Sequence, residues 1–114
     1  MVNLVAQPGL SQDTLLRLLK AVQRAVTLLN EQPARAHARL AALWKQDAKA
    51  VAQQLESYEF RLGLDQNLLS TLEAESRWAM REGLVGGTAT PDYLELMRVE
   101  PLRAFAPRAM TVIK

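Results

Sequence analysis

The chain has 114 residues, 49% of them apolar and 5% aromatic, with a formal net charge of +2 and no cysteine. That length fits one domain with a modest core, and the apolar share excludes a disordered chain. The missing cysteines exclude a disulfide scaffold and a thiolate metal site, and no apolar run approaches the ~20 residues of a membrane span.

Few aromatics, with leucine and alanine in their place, favour packed helices over a sandwich or barrel. Residues Met1 to Leu10 lack the charged start and long apolar run of a signal peptide. Val2-Asn3-Leu4-Val5-Ala6 is apolar and partly β-branched, and it stops at Pro8-Gly9. It predicts a strand or an extended lead-in, then a turn. Ser11 is placed to cap the first long helix, with Leu10 and Leu15 as a hydrophobic staple. Leu15, Leu18, Leu19, Val22, Ala25, Val26 and Leu29 make its apolar face. Arg17, Lys20 and Arg24 fall on the other side, a basic row that reads as a solvated face.

Asn30-Glu31-Gln32-Pro33 breaks the periodicity, and Pro33 suits the first position of a second helix running to about Lys45. Ala36, Leu40, Leu43 and Trp44 are its inward residues. Asp47 is a cap for a third helix, Ala48 to Tyr58, with Ala48, Val51, Ala52 and Leu55 inward. Tyr58 to Leu62 then alternates apolar and charged residues, a short extended connection.

From Gly63 to Val85 both ends of a helix are written into the sequence. Asp65 is the cap, Leu64 and Leu69 the staple, and Leu68, Leu69, Leu72, Ala79 and Met80 the stripe, widened by Trp78. Gly83 fits the left-handed stop, with Leu84 folding back over the last turn. Gly86-Gly87-Thr88-Ala89 is a flexible link and the best candidate for a boundary; it lacks the ending of a phosphate loop. Thr90 as cap and Pro91 at the first position start a short helix with Tyr93, Leu94 and Met97 inward. Glu100-Pro101 breaks again, Leu102 to Phe105 makes one turn, and Pro107 leads to the apolar tail Met110-Thr111-Val112-Ile113.

The expected fold is therefore mainly α, a single helical domain over 1–114 of five or six short-to-medium helices with an extended N-terminal lead-in. Its expected core holds Leu19, Val22, Leu40, Trp44, Leu55, Leu68, Leu72 and Trp78.

Catalytic chemistry finds little purchase. His37, the one histidine, has no carboxylate at helical spacing, which makes it a poor base and a poor ligand. Ser11, Ser57, Ser70 and Ser76 sit at caps or on polar faces without an evident base. Glu73 and Glu75, two apart on a helix, point about opposite ways, and Glu75 suits a bridge toward Arg81 or Arg77. No catalytic residue, no metal ligand, no cofactor and no enzymatic activity are expected; ligand-binding residues are not assigned.

Several segments resemble a known family. Val2 to Ala6 looks like a returning strand, and Leu15 to Pro33, ending Leu-Leu-Asn-Glu-Gln-Pro, looks like a long helix closing on an Asn-Glu-x-Pro turn. Phe60-Arg61-Leu62-Gly63-Leu64-Asp65 matches an F-x-L-x-L-D lead-in, and Leu72-Glu73 with Arg77-Trp78-Ala79 an L-E-x-x-x-R-W-A helix. Pro91-Asp92-Tyr93-Leu94 and Glu100-Pro101-Leu102 resemble closing residues. Together the order and spacing resemble the C-terminal part of periplasmic substrate-binding proteins of ABC transporters, in the nitrate/sulfonate/taurine group. The resemblance implies a two-lobed α/β parent that delivers a small anion or organic solute to an ABC permease, with this chain its non-catalytic C-terminal fragment, not expected to bind ligand alone. It implies a periplasmic or cell-envelope location; without a signal peptide, the chain encoded alone would be cytoplasmic. The expected partners are copies of the chain itself, through exposed apolar helix faces that include part of Leu15–Leu29 and through Val2–Ala6, with no nucleic acid and no membrane insertion. The alternative reading is a stand-alone interaction module that uses Arg17, Lys20 and Arg24 against an acidic protein or nucleic acid.

Overall fold

The computed structural model describes residues 1–112, and Ile113 of the expected apolar tail lies outside them. Among the described residues there are six α-helices and one 3-10 turn. These are α1 (Gln12–Glu31), α2 (Pro33–Trp44), α3 (Ala48–Leu55), α4 (Gln66–Arg81), α5 (Tyr93–Leu96), α6 (Glu100–Phe105) and a 3-10 turn at Pro107–Ala109. The mainly helical expectation holds. Contacts divide the chain into two compact units, Arg17–Leu62 on one hand and Met1–Leu16 with the described part of Gly63–Lys114 on the other. The Gly86-Gly87 link lies inside the second of these.

In the unit Arg17–Leu62, α1 stops where Gln32 leaves helical geometry (φ −132°, ψ 61°), and Pro33 opens α2. Proline fits there because the first-turn N–H it lacks would have had no helical partner. Lys45 takes a left-handed conformation (φ 53°) behind α2. Its N–H and that of Gln46 both donate to the Ala41 carbonyl, which closes the helix end. The α2 and α3 helices pack on each other. Val51 is wholly buried and Ala36 nearly so; the small Ala36 side chain permits close backbone approach. The α3 helix ends at Leu55 rather than Tyr58. Asp47 occupies its N-cap position, yet its carboxylate makes no capping bond. Asn30, at the end of α1, donates from Nδ2 to the Phe60 carbonyl at 3.0 Å and so anchors the Tyr58–Leu62 stretch, which has no regular secondary structure.

The second unit begins with Met1–Ala6, which forms no strand; Val2 and Val5 are each 91% exposed. The turn expected at Pro8-Gly9 is present, with the Leu10 N–H donating to the Gln7 carbonyl. Ser11 caps α1 by accepting from the Thr14 N–H through Oγ at 3.2 Å. The Leu10 carbonyl accepts from Arg98 Nη1 at 3.3 Å.

Asp65 accepts from the Leu68 N–H at 3.0 Å and starts α4 as expected. At its far end the Gly83 N–H donates to the Met80 carbonyl and the Leu84 N–H to the Ala79 carbonyl, with Gly83 at φ +70°. This paired closure is the Schellman arrangement. The Leu84 backbone folds back, but its side chain stays 64% exposed.

Leu69, Met97, Val99 and Val112 form the core of this unit, with Leu64, Leu68, Leu72, Tyr93, Leu94 and Met110 packed against them. Leu64 also pairs with Met110 in a lone parallel bridge. Its N–H donates to the Ala109 carbonyl, and its own carbonyl accepts from Thr111 and Val112.

Several expectations need correction. Trp44 and Trp78 are 47% and 50% exposed and belong to no core; Leu43 and Ala48 are exposed as well. A tryptophan at the edge of an apolar stripe lies down on the surface when nothing packs over it. Leu19, Val22, Leu40, Leu55, Leu68 and Leu72 are half-buried. Asp92, not Thr90, caps α5, accepting from the N–H groups of Leu94 and Glu95, so the helix starts at Tyr93. Pro101 sits in the first turn of α6, a buried position, and does not break it. Proline is tolerated there for the same reason as at Pro33.

Candidate functional site

Two depressions stand out among the described residues, each within one unit. The first is lined by Glu75, Ser76 and Met80 of α4 and by Val85, Pro91 and Tyr93 beyond it, about 390 Å³ in volume and open to solvent. It brings one carboxylate and two hydroxyls, those of Ser76 and Tyr93, to a largely apolar floor. A nucleophile needs a base beside it and a group to orient the base; Ser76 has only Glu75, its exposed neighbour along the helix, where adjacent side chains diverge. Glu75 makes no ion pair among the described residues, so the expected bridge toward Arg81 or Arg77 does not form.

The second lies at the bend between α1 and α2, a groove of about 400 Å³ lined by Arg24, Ala25, Leu28, Arg35 and Arg39. Its geometry follows from spacing. Arg24 and Leu28 are four apart on α1 and share a face, as Arg35 and Arg39 do on α2. The bend at Gln32 and Pro33 turns the two faces toward a common space. Arg35 donates from Nη1 to Gln32 Oε1 at 3.3 Å, which holds its guanidinium near the bend. Among the described residues the Arg24 and Arg39 side chains make no hydrogen bond or ion pair. Three like charges around one groove repel one another, and an anion placed there relieves that repulsion.

Of the basic row that the alternative reading takes as one binding surface, only Arg24 lines this groove; Arg17 and Lys20 do not. The two residues that join it, Arg35 and Arg39, carried a usable signal in their four-residue spacing. His37 is half-buried on α2, between them in sequence, and does not line the groove. Among the described residues no group of three acidic or histidine side chains is placed to hold a metal ion. No helix there is long and apolar enough to cross a membrane. Compared with known protein families, with curated proteins and with solved structures, the chain matches none.

Proposed function

We propose that this chain is the C-terminal helical part of a solute-binding protein for ABC-type uptake of a small anion or organic solute, acting by binding and not by catalysis. The motif segments carry the resemblance, and the observation that supports it is how those segments are tied. Asn30, from the Leu-Leu-Asn-Glu-Gln-Pro segment, donates to the carbonyl of Phe60, the first residue of the F-x-L-x-L-D segment. Later in that segment Leu64 bridges to Met110, and its last residue, Asp65, caps the helix bearing L-E-x-x-x-R-W-A. Residues spaced for structural duties recur together because each duty depends on the others being met. In this reading the solute sits against a sheet-bearing lobe, which is where open α/β folds hold ligands. The chain by itself then supplies support and not the cleft. Its localisation would be that of the parent, in the periplasm or cell envelope, and its functional partner an ABC permease.

Reading the genomic DNA around the first codon tests this directly. Codons for a cleaved signal and a lobe rich in parallel strands are expected upstream; an unrelated frame there would overturn the proposal. The isolated chain, titrated with nitrate and with a short alkanesulfonate, should show no shift in melting temperature, since binding only the folded form would raise it. A saturable rise would place the solute site in this segment.

A further inference from the structure

We infer that the groove formed by Arg24, Arg35 and Arg39 docks a short acidic segment of a partner protein, one that carries an aliphatic side chain between its carboxylates. This goes beyond the solute-transport reading and does not depend on it. Each guanidinium presents a planar fork that matches a carboxylate through two parallel hydrogen bonds. Ala25 and Leu28 line the same groove, an apolar contribution that a lone inorganic anion would not use. All three arginines are exposed. Exposed single pairs contribute little, so a small anion gains almost nothing here, whereas a segment with several carboxylates engages all three at once. A nucleic-acid strand also offers several anions, but it binds through stacking as well as charge, and no aromatic side chain lines the groove. Charge complementarity together with an aliphatic contact in the same groove therefore selects a peptide.

The test is fluorescence anisotropy on the full chain with a labelled peptide of alternating glutamate and leucine. Its glutamine analogue and an oligothymidylate of equal charge serve as comparison probes. Saturable binding at low ionic strength that weakens with added salt is expected for the acidic peptide, with weaker binding of both other probes. The double variant Arg24→Gln/Arg39→Gln should bind it roughly tenfold less tightly, the loss anticipated for two exposed charge contacts. Arg103→Gln/Arg108→Gln, exposed and in the other unit, should bind as the parent does. Circular dichroism confirms that both variants fold. Equal losses in the two variants would reduce the effect to general charge and overturn the groove. Tighter binding of the oligothymidylate would make it a nucleic-acid surface instead. Equal binding of the glutamine analogue, or no binding at low salt, would also defeat the inference.

Discussion

Single residues decide where the helices of this chain stop and start, and they can be ranked by what their side chains reach. Asp65 accepts from the Leu68 N–H, whereas Asp47, in the same position before α3, accepts from nothing in its first turn. Asp65→Ala should therefore cost about 1 kcal/mol of stability, and Asp47→Ala less than half of that. Urea denaturation followed by circular dichroism separates the two; equal costs would mean that the Asp65 bond contributes no stability. Gly83 offers a second comparison. At φ +70° a side chain is strained whatever space surrounds it, so Gly83→Ala should cost about 1 kcal/mol. Gly86, with a backbone any residue can adopt and open space around it, should tolerate alanine within about 0.5 kcal/mol. Both the Asp65 cap and the Gly83 stop were legible in the sequence, because each depends on neighbours within one turn. The α5 cap was not. Thr90 and Asp92 both suit the role, and the choice fell to the side chain that reaches two N–H groups.

At the scale of elements, periodicity predicted the buried centres of α3 and α4 but not how far each apolar stripe is covered. Leu69 and Val51 lie at the centre of their stripes and are buried; Trp78 and Trp44 lie at the margins and are exposed. The width depends on what packs opposite, which no local pattern records. The same limit applied to the arginine groove. The four-residue spacing of Arg35 and Arg39 is local, but their meeting with Arg24 depends on the backbone angles of Gln32 at the bend. A contrast within one unit makes the point measurable. Val51 is wholly buried on a helix of eight residues that is too short to hold itself without tertiary packing. Val51→Ala removes buried carbon and leaves a void, for a loss of about 2 kcal/mol. Trp44→Ala removes far more carbon from a half-open position and should cost less, within about 1 kcal/mol. A larger loss at Trp44 than at Val51 in thermal melts would show that the tryptophan is covered in solution.

For the molecule as a whole, the apolar surface left facing water sets the expected behaviour. Val2, Leu4 and Val5 are 91%, 60% and 91% exposed on a segment without regular secondary structure that takes part in no ladder. On the long helix the situation is more guarded than its sequence suggests. Leu15 is buried and Leu19, Val22, Val26 and Leu29 are half-buried, which leaves Leu18, at 47%, as its open leucine. Exposed apolar surface costs about 25 cal/mol per Å², so covering a few hundred Å² is worth several kcal/mol, comparable to the stability of a small domain. Such a segment adds unpaired backbone groups that a copy of it can satisfy. The simplest arrangement that meets both needs is a two-fold dimer in which Val2–Ala6 pairs with its copy, covering its valines and satisfying its backbone groups together. Sedimentation equilibrium in the micromolar range should then show self-association. Val5→Lys should weaken it, by placing like charges opposite each other across the symmetry axis. Leu84→Lys, equally drastic at an exposed leucine elsewhere, should leave it unchanged. A monomer at all concentrations, binding no hydrophobic dye, would mean that these side chains find cover within the chain, and the dimer would have no driving force.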